Sequence, residues 1–215
     1  MKALLRRFPQ LSLIGVLARR EAQAALSGMG TYIALTVALL AASWLVPVDV
    51  QALETAGILV RADPLRAPLT IGILVLCAFF AVSAAVSTSR ERENGTLEVL
   101  FYGPVSPAIY IGGKVAGQLA AYVAALPLLL VSFWVLSKIS GFVMSPMVLA
   151  SSLLSVVPAA AIISFAVMLS IGSARVRSAV LLIAGIIALL IGVKIAYGLV
   201  TLIPISDPSS NLVPL

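Results

Sequence analysis

The chain has 215 residues, 61% of them hydrophobic and 10% charged, with no histidine and a net charge of +6. Together with a mean hydropathy of +1.16, this composition lies outside the range of water-soluble domains and marks an integral membrane protein. Cys77 is the only cysteine, which excludes an internal disulfide and a metal site built from Cys and His. Nothing divides 1–215 into two cores, so one transmembrane domain is expected.

The opening MKALLRRFPQLSLIGVLARR has the basic start and apolar follow-on of a signal peptide. Its apolar part, 11–18, is short and runs into Arg19, Arg20 and Glu21 with no small-residue cleavage pattern, so it reads as a retained segment. On a helix Leu11, Ile14, Leu17 and Ala18 share one side. Residues 1–30 are therefore expected to form an amphipathic entry helix in the headgroup layer, the alternative being the first turns of a tilted span.

Crossing about 30 Å of hydrocarbon takes about 20 helical residues. Five runs qualify: 31–48, 69–88, 114–136, 147–172 and 178–203. All should be helices, because an open sheet leaves backbone groups unpaired in lipid and the alternation of a barrel strand is missing. The expected fold is thus an all-α membrane protein of five spans. Pro127 and Pro158 fall within the third and fourth runs and are expected to bend them.

Cations in the connections set the orientation. With the N-terminus inside, the inner segments hold Lys2, Arg6, Arg7, Arg19, Arg20, Arg90, Arg92, Lys114, Arg175 and Arg177, against Arg61, Arg66 and Lys138 outside. This asymmetry predicts a multi-pass cell-membrane protein with a cytoplasmic N-terminus. The net positive charge is a topology signal and not a nucleic-acid footprint, since the cations are scattered among span ends.

The connection after the second run, RERENGTLEVLFYGPVS at 90–106, concentrates charge in a chain poor in it. The second helix should continue to Glu93, with Arg90 and Glu93 at i,i+3, before Asn94-Gly95 closes it in a left-handed cap. Thr96 can cap a new short helix, TLEVLFY, with Leu97, Leu100 and Phe101 on one side and Glu98 on another. Gly103 stops it, and Ser106-Pro107 starts the third helix as a cap followed by proline. A simple helical connection takes about 2 to 8 residues, and this one, 89–113, takes about two dozen. Such charges can merely anchor span ends, but a short helix between two stops, apolar on one side and acidic on another, is a knob a soluble partner can grip.

RERENGTLEVLFYGPVSPAIYIGGK resembles the pattern of ABC type-2 exporter permeases, at Arg92, Glu93, Gly95, Thr96, Leu97, Glu98, Leu100, Pro104, Ser106, Gly113 and Lys114. Residues 18–45 are also similar to that family's entry helix and first span. The likeness covers most of the chain in layout, while the specific pattern is confined to the 90–114 region. It implies a single permease domain whose short cytoplasmic helix docks on a separate ABC ATPase. Arg92, Glu93, Thr96, Leu97, Glu98 and Phe101 would be the contact set, and Arg19, Arg20 and Glu21 on the entry helix a second one. It further implies a second permease half, identical or encoded separately, with ATP and Mg held by the partner and no cofactor in this chain.

The chain itself lacks a phosphate loop. Around Gly113-Lys114 the required G-x-x-x-x-G-K-[ST] has Ala108 at the first glycine and Val115 after the lysine. No acidic residue lies inside an apolar run, so membrane hydrolase chemistry has no base to work with. Ser83, Ser132, Ser151, Ser152, Ser155 and Ser164 are expected to bond back to their own helices or pack. Lys194, in the fifth run, either snorkels, pairs between helices, or lines a substrate pathway with Tyr197. Gly113-x-x-x-Gly117, with 78–85, Gly185 and Gly192, offers small-residue surfaces for packing within or between chains.

The family usually has six spans, and this chain closes on a Pro- and Ser-rich stretch like the start of the family's outer turn. Either a sixth span follows Leu215 or this is a shorter relative. The functional expectation is the membrane subunit of an exporter of hydrophobic or amphipathic cargo. The alternative is an accessory transmembrane subunit of a larger complex, docking through the same loop.

Overall fold

A computed structural model describes residues 9–55, 65–96, 106–141, 144–173, 175–186, 188 and 192. Its elements are α1 (Pro9–Ser27), α2 (Met29–Thr55), α3 (Arg66–Glu93), α4 (Pro107–Ser140), α5 (Pro146–Leu154), α6 (Val156–Gly172) and α7 (Val176–Ile186). Among the described residues four stretches are long and apolar enough to cross a membrane: Met29–Pro47, Arg66–Glu93, Pro107–Ser140 and Pro146–Gly172. They match the first four expected runs. α7 is the opening part of the fifth run, and most of the rest of that run lies outside the described residues.

Local chemistry sets the helix ends. Ser106 Oγ accepts a hydrogen bond from the Ile109 amide at 3.4 Å ahead of Pro107, and Ser145 Oγ accepts one from Met147 at 3.2 Å ahead of Pro146, each cap filling an orphan donor of the first turn. α3 closes on Asn94 and Gly95, with Gly95 at φ +69°, the left-handed conformation that glycine adopts without strain. α4 stops at Gly141 with φ +71°.

The two prolines behave differently. α4 remains one helix through Pro127, so that residue does not interrupt it. The fourth span does break, at Ser155, between α5 and α6. Pro158 explains the position: its ring collides with the carbonyl four residues back, that of Leu154, the last residue of α5. The Ser155 amide is left shared between the carbonyls of Ser151 and Ser152, both at 3.2 Å.

The helices meet on small residues. Ala34, Ala38 and Ala42 of α2 are buried at four-residue spacing, while Gly30 comes so close to Phe79 that a Cβ there would sit 3.1 Å from its ring. Lipid tails are as apolar as leucine, so such close approach, and not hydrophobicity, holds spans together. Leu76, Phe80, Tyr122, Leu129 and Ile163 fill the centre, with the Phe80 and Tyr122 rings edge to face at 6.1 Å. Ile33, Val37, Trp44, Leu128, Val131 and Trp134 lie exposed on the outside, as lipid-facing residues should. Ser132, Ser151, Ser152 and Ser164 each donate to a carbonyl three or four residues back, a bond internal to the helix, and Ser155, at the break, donates to the Ser152 carbonyl.

α4 has 34 residues, which makes it about 51 Å long against about 30 Å of hydrocarbon. Its large exposed apolar side chains begin at Val123 and continue to Ile139, so the excess lies at the Pro107 end. α1 packs on that excess, rising in step with α4: Ile14 faces Gly112, Leu17 faces Gly113 and Glu21 faces Gly117. The entry helix therefore stands along α4, leaving Val16 and Arg19 exposed.

Candidate functional site at the charged end

The start of α4, the end of α3, α1 and the α6–α7 junction converge at one end of the bundle, bringing Arg20, Glu21, Arg90, Glu91, Arg92, Glu93, Lys114 and Arg175 together. At its centre is Lys114, with a side chain only 2% exposed. Its ammonium donates to Glu21 Oε1 and Glu91 Oε1, each at 2.8 Å, and to the Ser87 hydroxyl. All three donors of the group are thereby used. Ser87 Oγ in turn donates to Glu21 Oε2 at 3.2 Å, and Tyr110 OH donates to Glu91 Oε2 at 2.6 Å. The Lys114 nitrogen also lies 5.8 Å from the Tyr110 ring centroid, within cation–π range.

Two backbone approaches allow this cluster. A Cβ on Gly113 would lie 2.7 Å from Leu17 Cβ, and one on Gly117 would lie 2.5 Å from Glu21 Cβ and 2.8 Å from the Ala18 carbonyl oxygen. The G-x-x-x-G pair thus serves contact within the chain, seating α1 so that Glu21 reaches Lys114. A buried ammonium without partners would cost several kcal/mol, and here Glu21 of α1 and Ser87 and Glu91 of α3 meet it. Lys114 consequently fastens α1, α3 and α4 to one another.

The last turn of α3 is fastened to the α6–α7 junction as well. Arg92 Nη1 donates to the carbonyl of Ile171 and, at 3.2 Å, to that of Ser173. Glu93 Oε1 accepts from the Val176 amide at 2.8 Å and so caps α7, in place of the i,i+3 partnership with Arg90 expected from the sequence. One turn earlier, the Ser89 and Ser170 hydroxyls bond at 2.6 Å, and Ser170 Oγ also donates to the Ala85 carbonyl at 2.7 Å. Thr96 turns back on α3, its hydroxyl donating to the Glu91 carbonyl at 2.7 Å.

Of the residues singled out from sequence, Glu21, Arg92, Glu93 and Thr96 thus bond within this end of the bundle, Arg20 lines its hollow, and Arg19 lies exposed on α1. Leu97, Glu98 and Phe101 of the proposed short helix, and Lys194 and Tyr197 of the fifth run, lie outside the described residues. Reading the sequence missed the roles of Ser87, Glu91 and Tyr110, and treated Lys114 as a motif position, a span start and one of the inner cations. One signal was present: with the helix start fixed at Ser106-Pro107, Lys114 falls two turns inside a helix that is otherwise apolar and small, a place where a lysine needs a partner.

No family model matches the sequence, and no curated protein or solved structure is similar to the chain.

Proposed function

We propose that the chain is the membrane-spanning permease subunit of an ABC type-2 exporter, placed in the cell membrane with a cytoplasmic N-terminus and paired with a second permease half. A separate ATPase subunit, holding ATP and Mg, would drive outward movement of a hydrophobic or amphipathic cargo. The observation that carries this reading is the Lys114 junction. It ties α1 and α4 to the last turn of α3, directly before 97–105, the segment whose resemblance marks it as the handle for the ATPase. A pull on that segment enters the bundle through Glu91 and Thr96 and reaches the entry helix and the longest span through the Lys114 ammonium and the Tyr110 hydroxyl. Arg92 and Glu93 pass the same displacement to α6 and α7. In this reading they act as the inner anchor of the handle, with Leu97, Glu98 and Phe101 as its outer surface.

The test is purification of the full chain with its natural partners. An ATPase should co-elute, and its cargo-dependent turnover should fall with Glu98→Ala or Leu97→Asp while membrane insertion is unchanged. An intact particle with no nucleotide-binding chain would instead identify an accessory membrane subunit. Labelling of Glu98→Cys by an impermeant maleimide from outside the cell would also overturn the proposal, since the handle would face away from ATP.

A further inference from the structure

Beside the Lys114 junction, between the end of α3 and the start of α7, a cavity of about 500 Å³ is lined by Val86, Arg90, Glu93, Asn94, Arg175, Val176 and Arg177. Its charge is unbalanced. Arg90, Arg175 and Arg177 are all exposed, and none is ion-paired with a described residue. The single carboxylate, Glu93, accepts the Val176 amide. Arg92, the neighbouring cation, already binds the Ile171 and Ser173 carbonyls. The guanidinium group is the side chain best shaped for the oxygens of a phosphate, and three of them open on one hollow.

Position narrows the ligand. Val86 and Val176 give the hollow an apolar floor, and Leu181, one helical turn beyond Arg177 on the same face of α7, is 72% exposed, with Leu182 beside it also exposed. Lipid-facing surface therefore begins one turn from the cations. A phosphate held by the arginines would have hydrocarbon within reach along α7, which suits a phospholipid and gives a free ion no advantage. Basic hollows between helices at the membrane surface attract anionic headgroups for this reason.

We infer that Arg90, Arg175 and Arg177 form a binding site for the phosphodiester headgroup of an anionic phospholipid, whose acyl chains lie against Leu181 and Leu182. The inference does not depend on an ATPase partner.

The full chain in detergent micelles, supplied with equal amounts of dioleoyl-phosphatidylglycerol and dioleoyl-phosphatidylcholine, should carry the anionic lipid preferentially in native mass spectrometry. Each arginine near the membrane surface is expected to contribute about a fivefold preference, so Arg175→Gln/Arg177→Gln should reduce the excess about 25-fold. The single Arg177→Gln, on the exposed side of α7, should reduce it about fivefold and serves if the double variant unfolds. Arg66→Gln/Lys138→Gln, the same change of charge at the opposite end, should leave it intact. Equal occupancy by the two lipids, or an excess that survives both arginine variants, would overturn the site. Loss of the bound lipid to millimolar inorganic phosphate would overturn its assignment to a lipid.

Discussion

Replacing Lys114 by methionine keeps an unbranched apolar stem, one atom shorter, and removes the charge and its three donors. Because the ammonium lies 2.8 Å from both Glu21 Oε1 and Glu91 Oε1, those two oxygens are at most about 5.6 Å apart. At an effective dielectric of about 20, two unit charges at about 5.6 Å repel by about 3 kcal/mol. Removing one partner from a buried charge cluster typically costs about 3 to 5 kcal/mol, so the two routes agree. For a chain of this size about 1 kcal/mol moves the melting temperature by about 2 to 4 °C, and Lys114→Met should lower it by about 10 °C. The assay is thermal unfolding of the detergent-solubilised chain, followed by the emission of Trp44 and Trp134. The triple variant Lys114→Met/Glu21→Gln/Glu91→Gln removes the repulsion along with the attraction and should recover most of the loss, since neutral replacement of a whole buried ion cluster is often tolerated. A single variant within about 1 °C of the parent, or a triple variant no better than the single, would refute the claim that Lys114 holds the three helices by charge.

Gly117→Ala should lower stability by about 1 to 3 kcal/mol through overpacking against Ala18 and Glu21, whereas Gly112→Ala, whose Cβ would meet only Ile14 Cδ1 at 3.8 Å, should be neutral or slightly stabilising; the two melting temperatures compared side by side check this. Arg92→Gln frees the Ile171 and Ser173 carbonyls, and a cysteine introduced at Ser173 should then react with a soluble maleimide several times faster than in the parent background. Ser170→Ala leaves Ser89, buried, without its hydroxyl partner, a loss of about 1 to 2 kcal/mol that Ser89→Ala/Ser170→Ala should in part restore, as a double-mutant cycle on unfolding would measure.

Features decided within a few residues were legible in the sequence. Asn94-Gly95 and Ser106-Pro107 each carry their own instruction, a positive φ or a capping hydroxyl ahead of a proline, and both act as expected. The four apolar stretches are set by length and hydropathy alone. Pro158 marked a distortion correctly, with the break displaced to Ser155 because the collision is with a carbonyl one turn earlier. Pro127 gives no such break, a difference that composition does not encode. The Lys114 cluster was illegible for a different reason: Glu21 precedes Lys114 by 93 positions, and no local rule states that α1 will lie on α4. Only the glycines at 113 and 117 hinted that something packs there, and their spacing does not name the partner. Glu93 is the clearest instance of competition, since an i,i+3 ion pair at the surface is weak and the free amide at the start of α7 offers a stronger bond.

The overhang of α4 has a mechanical consequence. A stiff rod gripped over only part of its length, as α4 is by the core packing of Tyr122, Leu129 and Phe133, turns about the gripped portion when its overhanging tip is displaced, so its two ends move in opposite directions. With α1 and α3 riveted to the tip through Lys114, a small sideways shift at the Pro107 end becomes a counter-swing at Ser140, on the far side of the bilayer, with no unwinding of the helix between them.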